Sequence, residues 1–87
     1  KGYSLSQNYP NPFNPKTNIG LRIADFGFVS LKVYDITGKE VALLVNQELN
    51  AGVYNVDFDA SNLSSGTYFY SMETSGFRDV KKMVVVK

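Results

Sequence analysis

Two aspartates close together supply the acid–base chemistry that this sequence could offer. Asp57 and Asp59 are two positions apart on a predicted strand, so both carboxylates would point to one side, about 7 Å apart. That separation overlaps those used in glycoside hydrolysis, and the same oxygens, together with Ser61, could bind calcium. No glycine or terminal Glu completes a calcium loop, and no apolar pocket can be argued around the pair. We favour the alternative, a solvated strand end that runs into a turn.

Two common catalytic residue types are missing from the 87 residues. There is no His, the usual general base, and no Cys, which excludes disulfides, thiolate nucleophiles and zinc–thiolate sites. Nine Lys and Arg against eight Asp and Glu leave a net charge of +1. This balance does not suit a dedicated nucleic-acid or membrane-surface binder. We therefore expect a protein that is not an enzyme, with no cofactor, no metal and no nucleic-acid partner.

A loose basic cluster near the end of the chain has two interpretations. Arg78, Lys81, Lys82 and Lys87 surround the β-prone run at residues 83–86. Charges in such positions discourage edge-to-edge aggregation of strands. The same side chains could instead be read by a partner, and composition does not separate the two roles.

The elements that must position these residues are predicted to be strands. Val, Ile, Thr, Tyr and Phe, which suit a pleated, half-buried surface, make up 29 of 87 residues. No window has the apolar spacing of an ordinary helix, and the longest apolar run is far too short to span a membrane. Residues 19–23, 29–34, 54–58 and 68–72 alternate between apolar and polar types, and residues 40–45 do so without a clean period of two. Together with residues 80–87 they predict an all-β sandwich of about seven short strands.

The connections carry recognisable turn chemistry. Asp35 and Gly38 predict a type I turn that closes a hairpin, because the carboxylate accepts a backbone N–H and the glycine supplies positive φ. Residues 46–52 and 59–66 are predicted to be loops. Residues 9–15 hold all three prolines and predict a stiff lead-in along one sheet edge, with Tyr9 and Phe13 as anchors. Consecutive apolar residues in the last segment predict either burial of both its faces or a bulge.

Four stretches of the sequence, in order, match a known pattern. The sequence closely resembles the C-terminal sorting domains of the type IX secretion system, also called Por secretion tails, of type A. The matching stretches are residues 5–17 (LSQNYPNPFNPKT), 29–41 (VSLKVYDITGKEV), 58–70 (FDASNLSSGTYFY) and 81–87 (KKMVVVK). They are spread over the chain from Leu5 to Lys87.

The resemblance implies an immunoglobulin-like antiparallel β-sandwich that follows a cargo protein in the same chain. It implies passage through the periplasm, transfer by the outer-membrane translocon to the cell surface or beyond, and removal of the tail by a surface sortase. Carried over by position, the translocon would recognise Gly66, Tyr68, Lys81, Lys82 and Lys87. Asp35 and Gly38 match family positions as turn residues. We expect residues 1–8 to be a linker remnant, with cleavage at or before residues 1–5, and residues 9–87 to be the sorting domain.

The physical argument adds a hypothesis about that recognition and leaves one alternative function. A last strand at the chain end is expected to offer a free edge, to be read together with the strand of Tyr68 beside it. The alternative is a non-catalytic immunoglobulin-like spacer or carbohydrate-binding module of a surface enzyme, with Tyr34, Tyr54 or Phe69 as a stacking platform.

Overall fold

The structure, a computed structural model, describes residues 2–87. Within that range the chain forms strands and turns but no helix, and so nothing that could cross a membrane as a helix. The strands are β1 (Ser4–Leu5), β2 (Lys16–Ile23), β3 (Gly27–Tyr34), β4 (Glu40–Leu49), β5 (Gly52–Asp59), β6 (Gly66–Glu73) and β7 (Arg78–Val85).

The strands form two antiparallel sheets. One sheet has three strands in the order β1-β2-β5, and the other has four in the order β4-β3-β6-β7. Every second residue of the central strands points inward, and these side chains form one core that includes Ile19, Leu31, Tyr70 and Met83. The predicted immunoglobulin-like antiparallel sandwich of seven strands is confirmed.

Two bulges explain why the third predicted strand has no clean period of two. The pairing of β3 with β4 shifts between Leu31 and Lys32 and again between Val33 and Tyr34. Each shift leaves one extra residue in β4, Leu44 and then Val41. The prediction of a loop over residues 46–52 is wrong, because β4 continues to Leu49 and β5 begins at Gly52. Polar side chains at Asn46, Gln47 and Glu48 suggested a loop, but they lie on an edge strand with both sides partly in solvent.

Two alternatives were predicted for the last strand, burial of both its faces or a bulge, and neither applies. Met83 and Val85 point into the core, whereas Lys82 and Val84 point outward, so alternation is regular. Val84 is apolar and still points outward, where it joins other apolar side chains on the outer face of this sheet.

Only one of the two predicted aromatic anchors in the proline-rich lead-in is buried. The Phe13 side chain is 3% exposed and packs edge-on against Phe58, with ring centroids 6.2 Å apart. Tyr9, by contrast, is 81% exposed, so its prediction as an anchor is wrong. Its backbone bonds Asn18 in both directions, which turns its side chain outward.

The first residues of the chain pack against the body. Ser4 and Leu5 pair with Arg22 and Leu21, and both Leu5 and Asn8 are buried. This packing does not fit a free linker over residues 4–8. Lys1, where the predicted cleavage region begins, lies outside the described residues. The domain boundary between residues 8 and 9 remains a prediction.

Candidate functional site

The outer edge of the last strand is occupied by the proline segment, which we define as residues 7–15. The backbone N–H of Phe13 donates to the Val84 carbonyl at 3.0 Å, and the Val86 N–H donates to the Phe13 carbonyl at 2.9 Å. This is a short stretch of parallel pairing along β7. It places the Phe13 ring in the core and the surrounding prolines outside.

Two side chains extend this cover along the same edge. Asn11 Oδ1 accepts from the Val84 N–H at 2.9 Å, and Gln7 Nε2 donates to the Lys82 carbonyl at 2.7 Å. Four outward backbone groups are therefore already paired, namely the Lys82 carbonyl, the Val84 N–H and carbonyl, and the Val86 N–H. The expectation of a free terminal edge is wrong over these residues, because the proline segment takes the place that an added strand would need.

A buried polar group fixes the start of the proline segment. The Asn8 N–H donates to the Tyr70 hydroxyl at 2.7 Å, and that hydroxyl donates to the Ser6 carbonyl at 2.7 Å. The Asn8 side-chain amide donates to Thr17 Oγ1 at 3.0 Å and to the Pro10 carbonyl at 3.1 Å. Burial raises the pKa of Tyr70 to about 12, so the phenol stays neutral at ordinary pH and keeps its donor.

Gly66 and Tyr68, two of the predicted recognition residues, lie at the start of β6. Gly66 has φ of +151°, a conformation that L side chains rarely adopt. Tyr68 is 8% exposed, and its hydroxyl donates to the Ser64 carbonyl at 2.9 Å. Both residues shape the loop before β6, and the Tyr68 ring belongs to the core.

The three predicted recognition lysines have different surroundings. Lys81 Nζ lies 3.7 Å from a carboxylate oxygen of Asp79. Lys87 Nζ donates to the Ser61 carbonyl at 3.0 Å, and its N–H donates to Ser65 Oγ at 3.0 Å, so the end of the chain is held against the loop after β5. Lys82 is exposed and points outward from β7.

Lys82 lies on a surface that the sequence analysis did not identify. On the outer side of the four-stranded sheet, Phe69 lies opposite Lys82 on one side and opposite Tyr34 on the other. We call this surface the outer apolar face, with Phe28, Tyr34, Leu43, Phe69, Val80 and Val84 as its apolar members. Phe28, Leu43 and Val80 are largely exposed. The signal in the sequence was that these strands carry apolar residues at outward-facing as well as inward-facing positions.

The carboxylate pair lies on the other face of the molecule and has a structural role. Asp59 accepts from the hydroxyl and the N–H of Ser61, and these bonds, the hydroxyl first, lower the pKa of the Asp59 carboxyl. A general acid needs the opposite shift. Asp57 accepts from Asn18 Nδ2 at 3.0 Å. Among residues 2–87, no three His, Cys, Asp or Glu side chains are grouped so that they could hold a metal ion.

The predicted turn residues and the aromatic alternative can be placed as well. Asp35 Oδ1 accepts from the N–H of Thr37 at 2.9 Å and from that of Lys39 at 3.1 Å, and Gly38 has φ of +89°. Tyr34 lies in the four-stranded sheet with Phe69, whereas Tyr54 lies in the other sheet. The three aromatic residues suggested as alternatives for a stacking platform are thus on different sheets.

Comparison with known proteins gives one family and several solved structures. The family model described as "Secretion system C-terminal sorting domain" matches residues 7–87. No curated protein sequence matches the chain. Among solved structures, dimeric latent PorU from Porphyromonas gingivalis is 19% identical, with a TM-score of 0.65 over 99% of this chain and 10% of that one.

A second solved structure has a similar match. PorZ, described as an essential bacterial surface component of the type IX secretion system of Porphyromonas gingivalis, is 22% identical. Its TM-score is 0.63 over 99% of this chain and 12% of that one. The chain thus spans about a tenth of the length of these two proteins, and the likeness to them concerns the fold.

Proposed function

Because this chain belongs to the family of secretion system C-terminal sorting domains, we propose that it directs an upstream cargo protein across the outer membrane. Families of this kind are sorting signals and typically non-catalytic, and a type IX secretion role implies export to the cell surface or the extracellular space. The observation that carries the proposal is the family match over residues 7–87. The finer steps are passage through the periplasm, docking on the translocon and removal by a surface sortase.

The surface proposed for translocon docking is the outer apolar face around Lys82. Exposed apolar side chains that lie together mark sites of protein association, and Phe69, Val80 and Val84 lie together around Lys82. Phe69 and Val80 flank Lys82 there, on the two strands that the sequence analysis singled out. Docking by strand addition to β7 is not proposed, since the proline segment already pairs with residues 82–86.

The other predicted recognition residues support this surface indirectly. Gly66 and Tyr68 set the start of β6, Lys81 pairs with Asp79, and Lys87 ties the chain end to the loop after β5. We propose that they act by holding β6 and β7 in place, while Lys82 contacts the partner. Cleavage is proposed before Ser4, because Leu5 is buried in the body and a protease needs an extended, accessible chain.

The test is a reporter fused to residues 1–87 in a bacterium with a type IX system. Lys82→Glu and Phe69→Ser should each reduce the surface fraction of the reporter by about tenfold, the effect of losing about 1.4 kcal/mol of binding. Arg22→Glu, a charge reversal on the opposite sheet, is the matched control and should leave export unchanged. Thermal melting of each purified variant checks folding. Normal export of folded Lys82→Glu and Phe69→Ser proteins would overturn this docking surface.

A sharper test of the function itself is deletion of the whole domain. The reporter without residues 1–87 should stay inside the cell envelope. Full surface display without the domain would refute the sorting role, and the proposed docking surface would be refuted with it.

A further inference from the structure

The outer face of the three-stranded sheet carries a row of three side chains with no role in the core. Tyr9, Asn18 and Asp57 lie side by side across the segment before β2, β2 itself and β5. The Tyr9 N–H donates to the Asn18 carbonyl and the Asn18 N–H donates to the Tyr9 carbonyl, both at 3.0 Å. The Tyr9 ring is 81% exposed, while the backbone that carries it makes two hydrogen bonds and is followed by Pro10. The backbone position of Tyr9 is therefore fixed, and its ring is available to a ligand.

The polar part of this row is ordered and still has unused capacity. Asn18 Nδ2 donates to Asp57 Oδ1 at 3.0 Å, which orients the amide and the carboxylate toward each other. Asp57 Oδ2 remains as an acceptor, and Asn18 retains its second amide hydrogen and its carbonyl oxygen. In the adjacent row, Lys16 lies opposite Asp59. The site therefore offers both donors and acceptors in a fixed arrangement.

Tyr9, Lys16, Asn18, Asp57 and Asp59 line an open cavity of about 500 Å³. This volume lies in the range of small-ligand sites. An aromatic wall with a few fixed polar groups is the chemistry that holds an amphipathic ligand by one apolar face and several hydroxyls.

We propose that this row is a carbohydrate-binding site, in which the C–H face of a neutral pyranose stacks on Tyr9 while its hydroxyls bond Asn18 and Asp57. A sugar ring has the apolar face that the exposed phenol needs and the adjacent hydroxyls that an amide–carboxylate pair bonds. The sugar is neutral because Asp57, the carboxylate that would bond its hydroxyls, would repel an anionic one. The two nearby ammonium groups, Lys16 and Lys87, act on Asp59.

The outer face continues beside the row with small and polar side chains. Gly20 follows Asn18 on the outer side of β2, and a Cβ placed there would lie 2.8 Å from Ser6 Oγ. The Ser6 side chain therefore occupies the space over Gly20, and Asn55 lies opposite Gly20 on β5. From Lys16 to Arg22 the outer face extends about 20 Å, enough for a short oligosaccharide. This site is separate from the outer apolar face, which lies on the other sheet, and does not depend on the sorting role.

The proposal is tested by NMR titration of the 87-residue chain with neutral hexaoses of glucose, xylose, mannose and N-acetylglucosamine. At least one should bind with a Kd of about 0.1–5 mM, and the amides of residues 9, 18 and 57 should shift most. A hexaose of galacturonic acid should bind more weakly than its neutral counterparts. The proposal is overturned if none of the neutral probes shifts these amides at about 10 mM, or if the shifts fall elsewhere.

Variants separate stacking from general adhesion. Tyr9→Ala should weaken binding by about tenfold, as expected for losing one stacking contact, whereas Tyr9→Phe should keep it within about threefold. Asp57→Asn should weaken binding by about fivefold through a lost charge-assisted bond. Tyr34→Ala, on the other sheet, is the matched control and should bind like the parent. The site would be refuted if Tyr9→Ala bound the sugar as tightly as the parent protein. Tyr9→Ala should still export the reporter normally. If no sugar binds, the sorting role is therefore unaffected.

Discussion

The two edges of the four-stranded sheet are finished in different ways. At β7, residues 82–86 are paired with the proline segment through backbone and side-chain hydrogen bonds. At the opposite edge, β4 pairs with β3 alone among the described residues, and no segment covers its outer side. Its protection comes from the bulges at Val41 and Leu44, since bulges twist an edge away from flat pairing. One edge is closed by another part of the chain, and the other is only distorted.

This difference explains where the recognisable sequence motifs lie. Of the four stretches that match the sorting family, residues 5–17, 58–70 and 81–87 contact one another at the closed edge. Only residues 29–41 lie toward the open edge. Much of the sequence signature therefore encodes the joint between the two ends of the chain. A motif residue in this joint has a structural reason to be there, whether or not a partner touches it.

The largest expected effect compares one phenylalanine at each edge. Phe13→Ala should lower the free energy of unfolding by about 3–5 kcal/mol, because the buried ring leaves a cavity against Phe58. Phe28→Ala, on β3 beside the open edge, removes a ring that is 53% exposed and should cost less than about 1 kcal/mol. Urea denaturation measures both. If both variants lost the same free energy of unfolding, packing of the proline segment through Phe13 would contribute little to stability.

The hydroxyl that holds the proline segment gives the next effect. Tyr70→Phe leaves the buried Asn8 N–H without an acceptor and should cost about 1–3 kcal/mol. Tyr34→Phe, on the outer face near the open edge, should be close to neutral. A neutral Tyr70→Phe would mean that a water replaces the hydroxyl at this joint.

The same tyrosine gives the closed edge a pH limit on the alkaline side. The folded pKa of Tyr70 is raised from 10.0 to about 12. The neutral phenol therefore contributes fully below pH 10.0, and its contribution is lost as pH rises toward 12. Melting curves over this range should show a smaller loss in Tyr70→Phe than in the parent. Parallel curves would contradict the assigned pKa.

A smaller effect concerns a single bond at the closed edge. Asn11→Ala removes the acceptor of the Val84 N–H and should cost about 0.5–1.5 kcal/mol. Hydrogen exchange at the Val84 amide should become faster, while Asn46→Ala on β4 should leave exchange at β7 unchanged. If Val84 exchanges quickly in the parent protein, the edge is not closed in solution.

The smallest effect tests two equivalent turns, one near each edge. Asp35 and Asp59 both accept from a hydroxyl and an N–H two residues on, Thr37 and Ser61, and both carboxyl pKa values are lowered below 3.8. Their contribution is present above that value and is lost as pH falls through the folded pKa. Asp35→Asn and Asp59→Asn should each flatten the acid limb of the stability curve. Lys16 and Lys87 add to the shift at Asp59, and Lys39 adds to the shift at Asp35, so both effects should shrink in high salt.

The sequence predicted the elements that depend on local pattern. Alternation located the inward residues of β2, β3 and β6, and the Asp35–Gly38 pair located a turn. It failed where long-range pairing decides the outcome. Nothing near Tyr9 and Phe13 indicates that one ring faces solvent and the other the core, since this follows from pairing with Asn18 and Val85. The continuation of β4 through Asn46–Glu48 was missed because polar residues on an edge strand resemble a loop.

The candidate surfaces were harder to predict for a related reason. Lysines 81, 82 and 87 look alike in sequence, and only the fold shows that two have intramolecular partners while Lys82 points outward. The Tyr9–Asn18–Asp57 row joins residues from three segments, so no spacing within the sequence reveals it.

The closed edge also determines when folding can finish. Gln7 meets Lys82 across 75 positions, and Asn11 meets Val84 across 73. Contacts between such distant residues form slowly, because a long loop must close before they return any free energy. During synthesis they cannot form until the last strand has left the ribosome. A chain that lacks β7 would expose both the proline segment and the unpaired edge of β6. Addition of β7 therefore converts an aggregation-prone intermediate into a domain in which this edge is paired.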